Sequence, residues 1–270
     1  MERAPVTGRW RFVCVSEEYE AELGRTSYEH AMEDYRDQIL RPDDPRHKIV
    51  GRVLERLLPN SGLKGDVEFH VIEDDDEVNA FVIPGNKIFV FSGIMPICNN
   101  EDGLASILGH EIAHNVAHHV QENASLPYLT TLILGLATFF VDNSAQLTQF
   151  VLSYGLELPN SRAQETEADY IGLLMMAQSC YNPEEALKVW DRMAKADQSA
   201  TPQFLSTHPT DRNRLKRFQQ WLPEAIEKQA QSQCGHMTQH SNEFQQAFVS
   251  YTRQGQDHPV LGTDNDNDFW

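Results

Sequence analysis

The twelve residues "LGHEIAHNVAHH", 108–119, hold four histidines and one glutamate. His110, Glu111 and His114 spell H-E-x-x-H, and no other stretch narrows the possible folds as sharply. On an α-helix, side chains four apart lie about 40° apart and roughly 6 Å along the axis, so both imidazoles can grip one ion. The surroundings ask for a helix. Asn100 is a natural N-cap, Glu101 and Asp102 suit the positive end of the helix dipole, and Leu104, Ile107, Leu108, Ile112 and Val116 supply an apolar face. Buried on that face, the helix presents His110 and His114 to a cleft; the competing reading is two solvated histidines on an exposed face.

A catalytic zinc takes three protein ligands and keeps a fourth position open, so a third ligand is expected elsewhere in the chain. The pattern H-E-x-x-H-x-x-G-x-x-H is excluded, because Ala117 and Val120 stand where glycine and histidine are required. In a straight helix His118 would sit about 12 Å from His110, so His118 and His119 read as solvated or as part of a second site. The stretch "SRAQETEADYIGL" places Glu165 and Asp169 four apart on one helical face, with Ala168, Ile171, Gly172 and Met175 available to pack against the first helix. Glu165 is then the candidate ligand. Asp169 would orient a ligand histidine through its other ring nitrogen. Glu167 points away from that face, and Glu122 and Glu157 lack a partner at helical spacing.

The remaining elements frame this pair of helices. A helix is expected in "SYEHAMEDYRDQIL", ended by "RPDDP", where the edge of the compact domain is placed. Ile49, Val50, Val53, Leu54, Leu57 and Leu58 form a second apolar stripe. Val67, Phe69 and Val71 then alternate, and "VNAFVI" and "KIFVFSG" flank Pro84, Gly85 and Asn86 as a hairpin. From residue 100 onward the pattern is helical, including a helix begun by Asn182 and Pro183. The expected fold is α+β and mainly helical, a small sheet with an edge strand beside the H-E-x-x-H helix. Its parts are an N-terminal segment over 1–45, a metal-binding domain over 46–223, and a polar, acidic, largely disordered tail over 224–270 with a short helix around Phe244 to Tyr251.

Charge and cysteines narrow the partners. With 22 basic against 40 acidic side chains, a formal charge of −18, the chain has the wrong sign for tracking phosphates, and nucleic acid is not an expected partner. Cys14, Cys98, Cys180 and Cys234 show no C-x-x-C spacing and read as scattered reduced thiols. No targeting signal is visible in "MERAPVTGRWRF". The uncharged stretch 126–141 would reach only about 24 Å as a helix, short of a bilayer core, so it is expected to be buried or to lie against a membrane.

Two motifs together, H-E-x-x-H and S-R-x-x-E-x-x-A-D at Ser161 to Asp169, resemble the gluzincins that include the prenyl-protein CaaX proteases and the HtpX-type stress proteases. "NAFVIPGNKIFVFSG" is similar to their edge strand and "STHPTDRNRL" to their T-H-P-x-x-x-x-R segment, so the resemblance spans residues 46–220. "TGRWRFVCVSEEYEAELG" is similar to a mitochondrial branch, stress-activated peptidases of the inner membrane whose activity overlaps that of the m-AAA protease. This implies a zincin-like fold and one Zn2+ per chain, with protein or peptide substrates, membrane proteins and a dynamin-like fusion protein among them. A homo-oligomer and membrane contact through 126–141 are further candidates. In the expected mechanism zinc is held by His110, His114 and Glu165, and Glu111 is the general base. His208 or Arg214 would stabilise the oxyanion, or His208 would close the fourth zinc position in a latent state. Asn79 would bind substrate backbone beside the edge strand. Two other readings are a catalytically silent metal-binding scaffold, disfavoured by Glu111, and a multispan CaaX protease, disfavoured by the lack of long apolar segments.

Overall fold

The computed structural model describes residues 1–4, 6–137, 159–196, 202–208, 213–232 and 234. At its centre lies a three-stranded sheet of β3 (Glu68–Ile72), β4 (Ala80–Ile83) and β5 (Lys87–Phe91), in the order β3-β5-β4. β5 runs parallel to β3, with Glu68 opposite Lys87, and antiparallel to β4, with Ile83 opposite Lys87. The expected hairpin therefore forms, and Gly85 in its turn takes a φ of 88° that a side chain would resist. Alternation sorts the side chains to two cores. Val71, Ala80, Ile88 and Val90 point to the larger one, and Ile72, Ile83, Phe89 and Phe91 to the smaller.

The smaller core is closed by α1 (Glu17–Tyr35) through Tyr28, Ala31, Met32 and Tyr35. This helix begins ten residues earlier than the pattern at Ser27 suggests, because the Ser16 side chain accepts from the Tyr19 N–H and caps it. The N-terminal segment is thus part of the compact body and not a separate extension. Gly24 lies directly on the Pro84 carbonyl. A two-stranded ribbon, β1 (Glu2–Arg3) with β2 (Trp10–Arg11), precedes α1, and its Arg11 donates to the Ala117 carbonyl.

The larger core is helical. Asp44 caps α2 (Pro45–Leu57) by accepting from the Arg46 N–H at 2.8 Å, with Pro45 as its first residue, so "DP" starts a helix where it was read as a stop. After the short α3 (Met95–Cys98), Asn100 caps α4 (Glu101–Val116), accepting from Gly103 N at 2.8 Å as the sequence suggests. Every residue of α4 from Gly103 to Ala113 is buried, so the metal-motif helix is enclosed on all sides and not on one stripe alone. Around it lie α5 (His119–Ala137), α6 (Pro159–Gln178), α7 (Glu184–Ala196), the short α8 (Gln203–Thr207) and α9 (Arg214–Gln231). α4 and α6 touch backbone to backbone at Gly109 and Gly172.

Two further sequence readings change. Cys180 and Cys234 form a disulfide that ties the end of α6 to the end of α9, while Cys14 and Cys98 are free as expected. α9 continues through Pro223 to Gln231, held by buried Phe218 and Ala225 on either side, so the domain edge read at Pro223 falls inside a helix. Among the described residues, no helix is long and apolar enough to cross a membrane. Residues 126–137 belong to α5, whereas 138–141, Glu157 and the tail beyond 234 lie outside the described residues.

Candidate metal centre

Four side chains from three parts of the fold converge. His110 and His114 come from α4, Glu165 from the first half of α6, and His208 from the residue that ends α8; one ligating atom of each lies within 4.8 Å of the others. The Nε2 atoms of His110 and His114 are 3.2 Å apart. Glu165 faces both, with Oε2 3.4 Å from His110 Nε2 and Oε1 3.3 Å from His114 Nε2. His208 Nδ1 sits 3.0 Å from Glu165 Oε1 and 3.3 Å from His110 Nε2. Glu165 Oε2 is buried without a hydrogen-bond partner. Crowded nitrogen and oxygen lone pairs with an orphaned carboxylate oxygen suit a cation between them, and this donor set fits zinc.

The flanking groups are placed as the helical spacing demands. Asp169, fully buried, brings Oδ1 to 3.0 Å from His110 Nδ1, where it can fix that imidazole with Nε2 turned inward. Glu111 is also buried and turns Oε1 toward His208 Nε2 at 3.3 Å, where that oxygen makes no hydrogen bond. Burial pushes the Glu111 carboxyl up, toward the range of a useful proton acceptor. Burial disfavours a charged His110, but Asp169 and Glu165 outweigh it and lift this imidazole to about 9. His114, with no carboxylate behind it, is driven well below the usual histidine range by burial.

Arg214 departs from the expected substrate contact. It is buried, donates from Nη2 to Asp169 Oδ1 at 2.6 Å, and lies 3.3 Å over the centre of the Trp190 ring. Its Nε and Nη1 have no hydrogen-bond partner among the described residues. Asn79 stands just before β4, its carbonyl accepting from Phe91 N at 3.0 Å and its amide 3.4 Å from Glu77, outside the four-residue cluster. The rejected carboxylates have other partners. Glu122 and Glu167 both bind Arg9, at 2.6 and 2.7 Å.

The straight-helix argument about His118 and His119 fails at one residue. α4 stops at Val116, and His118 adopts a left-handed φ of 53°, so the chain bends and His119 turns back toward the site. His119 is buried, not solvated, and lies 2.9 Å from His114.

A buried H-E-x-x-H helix, a glutamate from a second helix and a sheet with an edge strand beside them define a zincin-type metallopeptidase. Comparison of the whole chain narrows the class: a model of Peptidase family M48 matches residues 45–222. The chain belongs to Peptidase family M48 and is a metalloendopeptidase. It is 43% identical over 241 residues to mitochondrial metalloendopeptidase OMA1 of Schizosaccharomyces pombe, covering 88% of this chain and 71% of that protein. Against the Saccharomyces cerevisiae protein of the same name it is 37% identical over 261 residues, covering 90% and 75%. Against the Homo sapiens metalloendopeptidase OMA1 it is 31% identical over 253 residues, covering 87% of this chain and 48% of that one.

Proposed function

We propose that this chain cleaves protein substrates with one zinc ion held by His110, His114 and Glu165, and that it works at the mitochondrial inner membrane in stress-activated quality control. The observation that carries the site is the convergence of those three residues around a buried Glu165 oxygen that makes no hydrogen bond. The mitochondrial names of the relatives support the compartment, and the Cys180–Cys234 disulfide favours an oxidising one. Membrane-protein substrates, a homo-oligomer and membrane contact through 126–141 belong to the same proposal.

When bound, zinc supplies Lewis acidity that polarises the scissile carbonyl and acidifies a water. Glu111 removes the proton from the attacking water at Oε1 and delivers it to the leaving amine. Its burial strengthens it as a base. His208, the more exposed of the two candidate donors, is placed to hydrogen-bond the oxyanion, while Arg214 holds Asp169 and so the His110 ring. Among the described residues β4 pairs on one side only, so its outer edge can take an extended peptide as an added strand, with Asn79 at its start.

The test compares digestion of an unfolded protein by the wild type and by Glu111→Gln, with and without zinc. Cleavage by the zinc-loaded wild type alone is expected; equal cleavage by both removes the assignment. A second reading has one specific observation behind it: His208 Nδ1 is itself within ligand range of the cluster. If His208 closes the fourth position of a latent enzyme, His208→Ala raises activity, whereas loss of an oxyanion donor lowers it by roughly 100-fold or more.

A further inference from the structure

We propose that His119 is a positioning residue for His114, and that its own placement is set by Glu167 and, through Glu167, by Thr7 and Arg9 of the N-terminal segment. This rests on the metal-centre reading above. His110 has Asp169 directly behind its Nδ1. His114 has no such carboxylate; behind it stands another imidazole, His119 Nδ1, 2.9 Å from His114 Nδ1.

The chemistry of that contact leaves one arrangement. His114 turns Nε2 into the cluster, so as a ligand it carries its proton on Nδ1 and donates it. His119 Nδ1 is therefore the acceptor, and its proton sits on Nε2. That nitrogen lies 3.1 Å from Glu167 Oε2, a carboxylate that can only accept. Glu167 thus fixes the tautomer of His119, and His119 that of His114.

The carboxylate is held in turn by residues far away in sequence. Thr7 Oγ1 donates to Glu167 Oε1, and Arg9 Nε donates to Glu167 Oε2 at 2.9 Å. Arg9 also clamps Glu122 with two bonds, at 2.9 and 2.6 Å. Two residues on, Arg11 donates to the Ala117 carbonyl, at the bend that turns His119 inward. His119 and Glu167 are buried, so the contacts are not a solvated surface pattern. Thr7, Arg9 and Arg11 all lie outside residues 45–222, the part matched by the family model. The segment before α1 therefore completes the metal centre from outside the shared peptidase core.

The test measures zinc affinity by competition with a chromogenic chelator, and geometry by the absorption spectrum of the cobalt-substituted protein. Three variants are compared in the full chain: His119→Leu, which removes both bonds; His119→Gln, which keeps an acceptor and a donor; and Arg9→Met, remote from the ion. His119→Leu is expected to weaken zinc binding by about 10–100-fold and to alter the cobalt spectrum, with His119→Gln within a few fold of wild type and Arg9→Met between them. Folding is checked by circular dichroism, and if His119→Leu does not fold, Arg9→Met decides. Wild-type affinity with an unchanged spectrum in the deciding variant overturns the proposal, as does a His119→Gln as weak as His119→Leu, which would make the role one of packing. A wild type that binds no zinc would instead remove the metal-centre reading beneath it.

Discussion

Replacing Gly172 by alanine should weaken metal binding even where the cost in stability is small. A Cβ at Gly172 would lie 2.8 Å from the carbonyl carbon of Gly109 and 2.8 Å from the His110 nitrogen, both backbone atoms of α4. Ordinary contact begins near 3.4 Å, so α4 and α6 must separate by roughly 0.6 Å in an interior with no slack. Overpacking of this kind costs about 1–3 kcal/mol, and the better helix propensity of alanine returns about 1, leaving a net loss of about 0–2 kcal/mol. The centre is less tolerant. His110 and His114 ride on one helix, Glu165 and Asp169 on the other, and metal–ligand distances are held within about 0.2 Å. Zinc affinity should therefore fall by at least about tenfold. Chelator competition gives the affinity, and urea unfolding in EDTA gives the stability of the metal-free protein. Gly51→Ala is the control, because its Cβ meets only the edge of the Phe69 ring, at 3.3 Å. A Gly172→Ala protein with wild-type zinc affinity would show that the glycine contact does not set the spacing of the ligands.

Other consequences are open to measurement. Burial opposes the charge of Glu167, but His119, Thr7 and Arg9 more than compensate and hold its carboxyl at about 2. Its contribution is therefore complete above about pH 4.5 and shrinks as pH falls toward 2, up to about 3 kcal/mol; unfolding between pH 5 and 3 should depend less steeply on pH in Glu167→Gln, and an unchanged slope would contradict this. Cys234→Ser opens a cross-link between residues 54 apart and should lower unfolding free energy by about 2–4 kcal/mol, read by denaturant titration beside the reduced wild type. Glu111 shows the opposite sign from Glu167. Burial raises its carboxyl, so its ionisation above about pH 4.5 costs the metal-free fold stability, and metal-free Glu111→Gln should melt higher than metal-free wild type at neutral pH; a lower melting point would mean that the charge is compensated.

What could be read from the sequence is what local geometry determines. The cap at Asn100, the four-residue spacing of His110 and His114, the matching spacing of Glu165 and Asp169 and the period-two alternation in β3 all follow from helix and strand periodicity, and all appear in the fold. Apart from the caps at Ser16 and Asp44, which are local, the misreadings share one cause, contacts between residues far apart in sequence. A disulfide between Cys180 and Cys234 leaves no periodic trace. Pro223 normally stops a helix, yet burial of Phe218 and Ala225 carries α9 past it. Histidine is one of the few non-glycine types that tolerate a left-handed conformation, but most histidines are not left-handed, so His118 alone does not announce the bend that turns His119 inward. Arg9 reaches Glu167 across 158 positions. No periodic signal marks Glu122, Glu167 and His119, because neither of their helices has a distinct apolar face.

The charges of the centre give a reason for its construction. Glu111, Glu165 and Asp169 are buried together with Arg214 as their neighbouring fixed cation. With all three carboxylates ionised and the histidines neutral, as metal ligands must be, the group carries an excess of two negative charges, a costly arrangement in a poorly solvated interior. A divalent ion cancels that excess; a monovalent ion or a single proton does not. Arg214 takes part by lying on Trp190 and binding Asp169, which neutralises the most buried of the three carboxylates and leaves Glu165 and Glu111 free for the proposed ion and substrate. In that division the Arg214 guanidinium compensates the residue that orients a ligand. In the proposed mechanism a metal would compensate Glu165, its ligand, and Glu111, the base, so loading the ion and arming Glu111 would be one electrostatic event.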